Sequence, residues 1–317
     1  PDNLTNPRSL AQVSPGQIQE EQQRQAEIKD RSVVRSQAVV QARRPQDGKP
    51  GTGLAADMST GEIQTRSVAA PAQTPPVRYF HNSVSVFGEP TKTFAPTVER
   101  AVSQLQNGHD LVVLTYSFEL ASQPDRPLKF VLFENALKAM FPRLQQLTRN
   151  GKLEMQLVSI LPSNVRYDVF GQSTLPENCT YATCQAQKVE VSDVSSVERL
   201  VSKLNKETFA DAGAERHMVL TIGAPGSASH IHITDVMFVP SSNKDNPVPT
   251  MEQIRLLDGS WRNYLVDVLQ KPQSKIDLIF SVVPVSLKKK EAQEANYRML
   301  QLVDRIQTYL RHVKAVQ

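Results

Sequence analysis

From Asp110 to Thr115 the chain reads Asp-Leu-Val-Val-Leu-Thr, an apolar run without polar alternation. A strand of this kind has to be covered on both faces, which points to a layered α/β architecture rather than a sandwich or a helical bundle. The flanking segments supply the cover. Thr93–Gln106 places Phe94, Val98, Ala101, Val102 and Leu105 on one side of a predicted helix, and Asn107-Gly108 stops it. A second helix is expected over Leu128–Leu147. Further strands are expected at Ser83–Phe87, Leu153–Leu161, Val189–Val191, Met218–Ile222, Ile231–Val239 and Ile276–Val283. Helices are expected at Val194–Phe209, Thr250–Gln270 and Lys289–Val313. In the last of these, Ala292, Ala295, Met299, Leu302, Ile306, Leu310 and Val313 form a stripe suited to docking on a sheet. Strands alternating with helices in this way predict a mixed, mostly parallel sheet with helices on both faces.

The first 75 residues have a different character. They are rich in Gln, Ser, Pro, Thr and Ala and poor in aromatics, a composition that buries little. Residues 1–32 read as a polar arm holding one solvated helix, with Ser14 as its cap and Pro15 as its first residue. Ala38-Val39-Val40 reads as a short strand that leaves through Arg43-Arg44-Pro45 into a polar loop up to residue 75. The main α/β body then occupies 76–314, and 315–317 is a tail.

Composition excludes little. The 36 Lys and Arg against 32 Asp and Glu leave a net charge of +4, a slight preference for acidic partners such as tubulin, nucleic acid or an anionic surface. No apolar run approaches the ~20 residues that span a bilayer, and no secretory signal opens the chain. Pro1 in place of methionine is consistent with a longer upstream region. Cys179 and Cys184 lie in a Pro/Asn/Thr-rich loop and are read as two ordinary thiols, without the second Cys/His pair that a zinc site needs. His230, His232 and Asp235 are close in sequence, but alternation along a strand puts the histidines on one face and the aspartate on the other. No metal is therefore expected.

Several strings, taken in order, resemble a kinesin motor domain from about Val33 to Val313. Gln41-Ala42-Arg43-Arg44-Pro45 after the first strand is similar to the family's Arg-x-Arg-Pro. Val84-Ser85-Val86-Phe87-Gly88 resembles its Phe-Asp-x-Val-Phe, and Asn107-Gly108-His109-Asp110 its Asp-Gly-Tyr-Asn. Val158-Ser159-Ile160 through Asn164-Val165-Arg166-Tyr167-Asp168 is similar to Glu-Ile-Tyr-Asn-Glu-x-x-x-Asp-Leu. Val189–Val197 resembles the strand and serine-led helix before the first nucleotide switch. The resemblance implies the kinesin-like P-loop NTPase fold. It also implies tubulin or a kinesin-like sister chain among the partners, and a cytoskeletal setting such as a cilium or flagellum.

The nucleotide chemistry of that family is missing. A phosphate loop needs glycines whose backbone N–H groups cradle phosphate, and a Lys-Ser/Thr pair for the outer phosphates and Mg²⁺. The matching stretch is Tyr116-Ser117-Phe118-Glu119-Leu120-Ala121-Ser122-Gln123-Pro124-Asp125, with neither glycine nor lysine and with two carboxylates. Where the family's first switch reads Ser-Ser-Arg-Ser-His, this chain has Gly213-Ala214-Glu215-Arg216-His217, and His217 reads as a relic or core histidine. The second switch, Asp-Leu-Ala-Gly-Ser-Glu in the family, is Asp235-Val236-Met237-Phe238-Val239-Pro240 here. Asp235 is expected as a strand-end cap or loop partner, and Phe238 replaces the phosphate-sensing glycine. No catalytic residue and no cofactor is expected.

The track-binding face is reduced as well. Only Ser241–Ser260 separates Pro240 from Trp261–Leu269, which resembles the family's Ser-Lys-Leu-Thr-Arg-Leu-Leu helix with its basic residues thinned to Arg262. Arg43, Arg44, Arg262, Lys288, Lys289 and Lys290 are the candidate contacts for an acidic partner, although the lysine run also reads as a solvated helix start. These observations predict a non-catalytic, kinesin-like scaffold subunit bound to other proteins. The competing classes are an ATPase with an unorthodox site and a structural protein of a ribonucleoprotein particle. The second is permitted by an isoelectric point near 9.0, but no RNA-binding signature supports it.

Overall fold

The computed structural model describes residues 33–40, 54–71, 73–86, 89–118, 131–160, 165–193, 195–196, 199, 217–238, 263–282 and 290–315. In chain order the first strands are β1 (Val34–Val40), β2 (Leu54–Asp57), β3 (Glu62–Thr65), β4 (Val77–Phe80) and β5 (Ser83–Val86). Helix α1 (Pro90–Gln106) follows, then β6 (Leu111–Phe118), α2 (Val131–Gln145) and β7 (Leu153–Ile160). After these come β8 (Arg166–Asp168), β9 (Ser173–Leu175), β10 (Val189–Val191), β11 (His217–Gly223) and β12 (Ile231–Phe238). Residues 263–270 form helix α3, β13 spans Lys275–Val282, and α4 spans Lys290–Ala315.

Ten strands make one sheet in the order β5-β1-β13-β6-β12-β11-β7-β8-β9, with β10 also paired to β7. From β5 to β12 the neighbours are parallel. Beyond β12 the sheet becomes an antiparallel meander through β11, β7, β8 and β9. The apolar run singled out in the sequence is β6, at the centre, and it divides its side chains as a doubly covered strand must. Val112, Leu114 and Tyr116 join a core with Leu265, Val268, Leu300, Val303 and Leu310 of α3 and α4. Leu111 and Val113 join a second core with Phe94 and Val98 of α1 and Leu137 and Phe141 of α2. The mixed sheet with helices on both faces is therefore as expected.

Local chemistry sets the helix limits. Pro90 starts α1 in the first turn, where its missing N–H costs nothing. At the other end Gly108, at φ +73°, turns the chain and donates to Leu105 O at 3.1 Å. Inside the second core, Arg100 of α1 meets Asp277 of β13 at 3.2 Å, both nearly without exposure, and also donates to Val33 O at 2.8 Å.

The stretch read as a polar loop after β1 differs from expectation. It contains β2 and β3, which join β4 in a separate antiparallel three-stranded sheet. Here Ile63 and Thr65 are buried, and α4 grips the loop that follows. Gln293 donates to Arg66 O at 2.9 Å, while Glu294 accepts from Ser67 Oγ at 3.0 Å and Val68 N at 3.1 Å. The expected N-terminal helix over 14–31 lies outside the described residues, as does most of the helix expected at Val194–Phe209, of which Ser195 and Ser196 are helical. Among the described residues no helix is long and apolar enough to cross a membrane.

Candidate functional site

In an open α/β sheet, ligands bind beyond the carboxyl ends of the parallel strands, where the connections diverge. That edge is formed here by the ends of β6 and β12, beside the start of β11. The register pairs Thr115 with Asp235, Tyr116 with Val236, Ser117 with Met237 and Phe118 with Phe238. On the far side of β12, Met218 pairs with Asp235, which places the start of β11 at His217 at the same edge. The described parts of the three stretches read from sequence as a vestigial phosphate loop and two vestigial switches, residues 116–118, His217 and residues 235–238, thus converge. Glu119, Leu120, Ala121, Ser122, Gln123, Glu215 and Arg216 lie outside the described residues.

Asp235 does not end its strand, contrary to expectation. Because β6 continues to Phe118, β12 keeps pairing for three residues past Asp235, and the aspartate is enclosed with 0% exposure. The Thr115 hydroxyl lies 3.0 Å from Asp235 Oδ1 and 3.1 Å from Thr234 O, so one proton serves two acceptors. Asp235 Oδ2 has no hydrogen-bond partner among the described residues. Burial pushes the carboxyl up to about 7, against the opposing pull of the Thr115 bond. Such a group sits inside the fold as an uncharged or half-charged acid rather than presenting a carboxylate at the edge. Tyr116 is likewise fully buried, among the side chains of α3 and α4.

The histidines occupy the opposite end of β12. His230 and His232 share a face, their ring centroids 6.1 Å apart, with Tyr181 edge-on to His232 at 4.6 Å. His232 is fully enclosed, bonded through Nδ1 to Thr221 Oγ1 at 3.0 Å, and burial lowers it to about 3, so the ring is neutral. Among the described residues no group of three or more His, Cys, Asp or Glu could hold a metal ion. Cys179 and Cys184 are free thiols, and burial raises the former above its ordinary value.

Comparison with known structures fits this layout. A solved structure of a fast kinesin, described for its implications for ATPase mechanism and interactions with microtubules, aligns with a TM-score of 0.58. The alignment covers 87% of this chain and 91% of that one, at 12% identity. The fold is that of a kinesin motor domain. No family model matches the sequence, and no curated protein matches it either. The resemblance read from the sequence puts the phosphate loop in the connection between β6 and α2. Its residues, Glu119 to Phe130, include no glycine, and Lys129 is followed by Phe130 rather than by Ser or Thr.

Arg43, Arg44, Arg262, Lys288 and Lys289 lie outside the described residues, and Lys290 opens α4. Sequence reading missed a second concave feature altogether. A cleft of about 600 Å³ runs between β4 and α4, with Arg78, His81, Arg305, Gln307 and Arg311 among its walls. One signal of it was present. Leu300, Val303, Gln307 and Leu310 follow a single helical stripe, and Gln307 is the polar member, buried like the others.

Proposed function

We propose that this chain is a non-catalytic pseudo-motor, a kinesin-like subunit that serves as a binding scaffold in a larger microtubule- or cilium-associated assembly. The β6–α2 connection carries the reading. It holds Glu119 and Asp125 and two prolines where a phosphate loop needs bare backbone N–H groups and a lysine. Arg126 and Lys129 do no more than balance the two carboxylates, so a nucleotide's phosphates would find neither the glycine cradle nor a Lys-Ser/Thr pair there. Asp235 supports the same reading, since a carboxyl enclosed at 0% exposure and bonded to Thr115 is badly placed to hold Mg²⁺ at the sheet edge. A protein without turnover but with an intact core keeps its value as a surface, and the scaffold role follows from that.

The test is an equilibrium titration of the full chain with fluorescent ATP and Mg²⁺, alongside pelleting with microtubules. The expected result is no saturable nucleotide binding up to about 1 mM, a limit that corresponds to less than about 4 kcal/mol of binding free energy. Pelleting is expected to be independent of added nucleotide. Micromolar ATP affinity, or phosphate release stimulated by microtubules, would overturn the non-catalytic reading. Failure to pellet would remove the microtubule from the assembly.

A further inference from the structure

We propose that the cleft between β4 and α4 is a docking site for an extended acidic segment of a partner protein. The inference is independent of the nucleotide chemistry, because the cleft's walls are formed by the small sheet and the last helix rather than by the β6–β12 edge.

The strongest sign is a set of donors left without acceptors. Gln307 is 3% exposed and His81 8% exposed, yet among the described residues Gln307 Nε2 and His81 Nε2 have no hydrogen-bond partner, and neither does the buried Nε of Arg311. All three residues line the cleft. The three atoms are themselves sealed from solvent, so an acceptor bound in the cleft meets them only when the side chains turn towards it, a turn favoured because folded proteins pair such groups almost without exception. The tautomer of His81 agrees. Ser36 Oγ, 3.1 Å from Nδ1, donates to it when the ring carries its proton on Nε2, which leaves that nitrogen a donor. The ring stays neutral near pH 7 because burial lowers it to about 4.

Charge selects the kind of acceptor. Arg305 and Arg311 have no salt-bridge partner among the described residues, while Arg78 is held by Glu62 at 3.3 Å. Asp304 is the one carboxylate among the described lining residues. Arginine forks, an amide N–H and an imidazole N–H together suit carboxylates, which only accept.

Shape selects a peptide over a small anion. One wall is the continuous stretch from Val77 to Asn82. Among the described residues β4 pairs only with β3, so every second residue of it turns backbone groups away from the small sheet. Phe80 at 65% exposure and Val77 at 42% add apolar surface beside the charges. An extended segment alternating acidic and apolar side chains would match all three features by strand addition.

The probe is a short fluorescein-labelled peptide alternating glutamate and valine, followed by anisotropy against the full chain. Its control replaces each glutamate with glutamine. Binding is expected to be at least roughly tenfold tighter for the glutamate peptide, and Arg305→Glu, at an exposed position, should weaken it by about tenfold. Asp304→Asn should tighten it by roughly threefold, a gain that misfolding would not produce. Equal binding of the glutamine peptide, indifference to Arg305→Glu, or absence of binding would each overturn the proposal. Displacement of the peptide by an equal concentration of inorganic phosphate would also overturn it, by reducing the site to a small-anion pocket. None of these outcomes alters the expectation for ATP.

Discussion

Asp235 is the residue whose setting departs furthest from what its neighbours in sequence suggest. A carboxyl with 0% exposure, one hydroxyl donor and a value raised to about 7 makes the fold sensitive to pH in a defined sense. Below pH ~4 the group is protonated in both the folded and unfolded chain and contributes nothing. Between ~4 and ~7 the unfolded chain releases the proton while the folded chain retains it, so stability falls as pH rises through that window. Above ~7 the penalty is constant, on the order of 4 kcal/mol. Asp235→Asn keeps an acceptor for Thr115 and removes the charge. Its urea midpoint should therefore exceed that of the parent at pH 8 and match it at pH 4. Equal midpoints at pH 8 would mean that the carboxyl is already relieved by a partner.

At the level of elements, the instructive contrast is between β6 and the small sheet. β6 is visible in sequence because five consecutive residues from Leu111 to Thr115 are buried and four of them are aliphatic. β3 is Glu-Ile-Gln-Thr, with a burial pattern alternating between intermediate and buried, and its polar members conceal it in a Gln- and Thr-rich stretch. What buries Ile63 and Thr65 comes from far along the chain, through α4 and its contacts to Arg66, Ser67 and Val68. β8 and β9 are hidden by their brevity, three residues each, although they pair locally, β8 with β7 and β9 with β8. Gly61 ties the small sheet together. At φ +72° it accepts from His81 N at 2.9 Å, and a Cβ there would lie 2.2 Å from His81 O. Gly61→Ala combines a left-handed backbone penalty of about 1–2 kcal/mol with that clash. It should accelerate amide exchange across β2–β4 while leaving β6 protected. Unchanged exchange in β2–β4 would show that the turn can shift without loss.

Over the whole molecule, the sheet order places β6, β12, β13 and β1 between paired neighbours, with helices above and below. These strands should hold the slowest-exchanging amides, since opening them requires loss of both cores. The meander end at β8 and β9 and the small sheet should exchange by smaller openings. Equal protection throughout would instead indicate one cooperative unit. The fold matches a kinesin motor at 12% identity, which follows from where the constraint lies. Layered packing needs apolar faces in a given order, and many sequences satisfy that.

The alternation of strands and helices, the doubly covered central strand and the lack of glycine and of a Lys-Ser/Thr pair after it are all legible along the chain. Each of these is written in local pattern or residue type. Only the tertiary structure decided that Asp235 lies inside the sheet, that a second small sheet leans on α4, and that Gln307, His81 and Arg311 share one cleft. Burial and the meeting of distant side chains depend on how layers close, and residues more than two hundred positions apart carry no mark of each other in the chain.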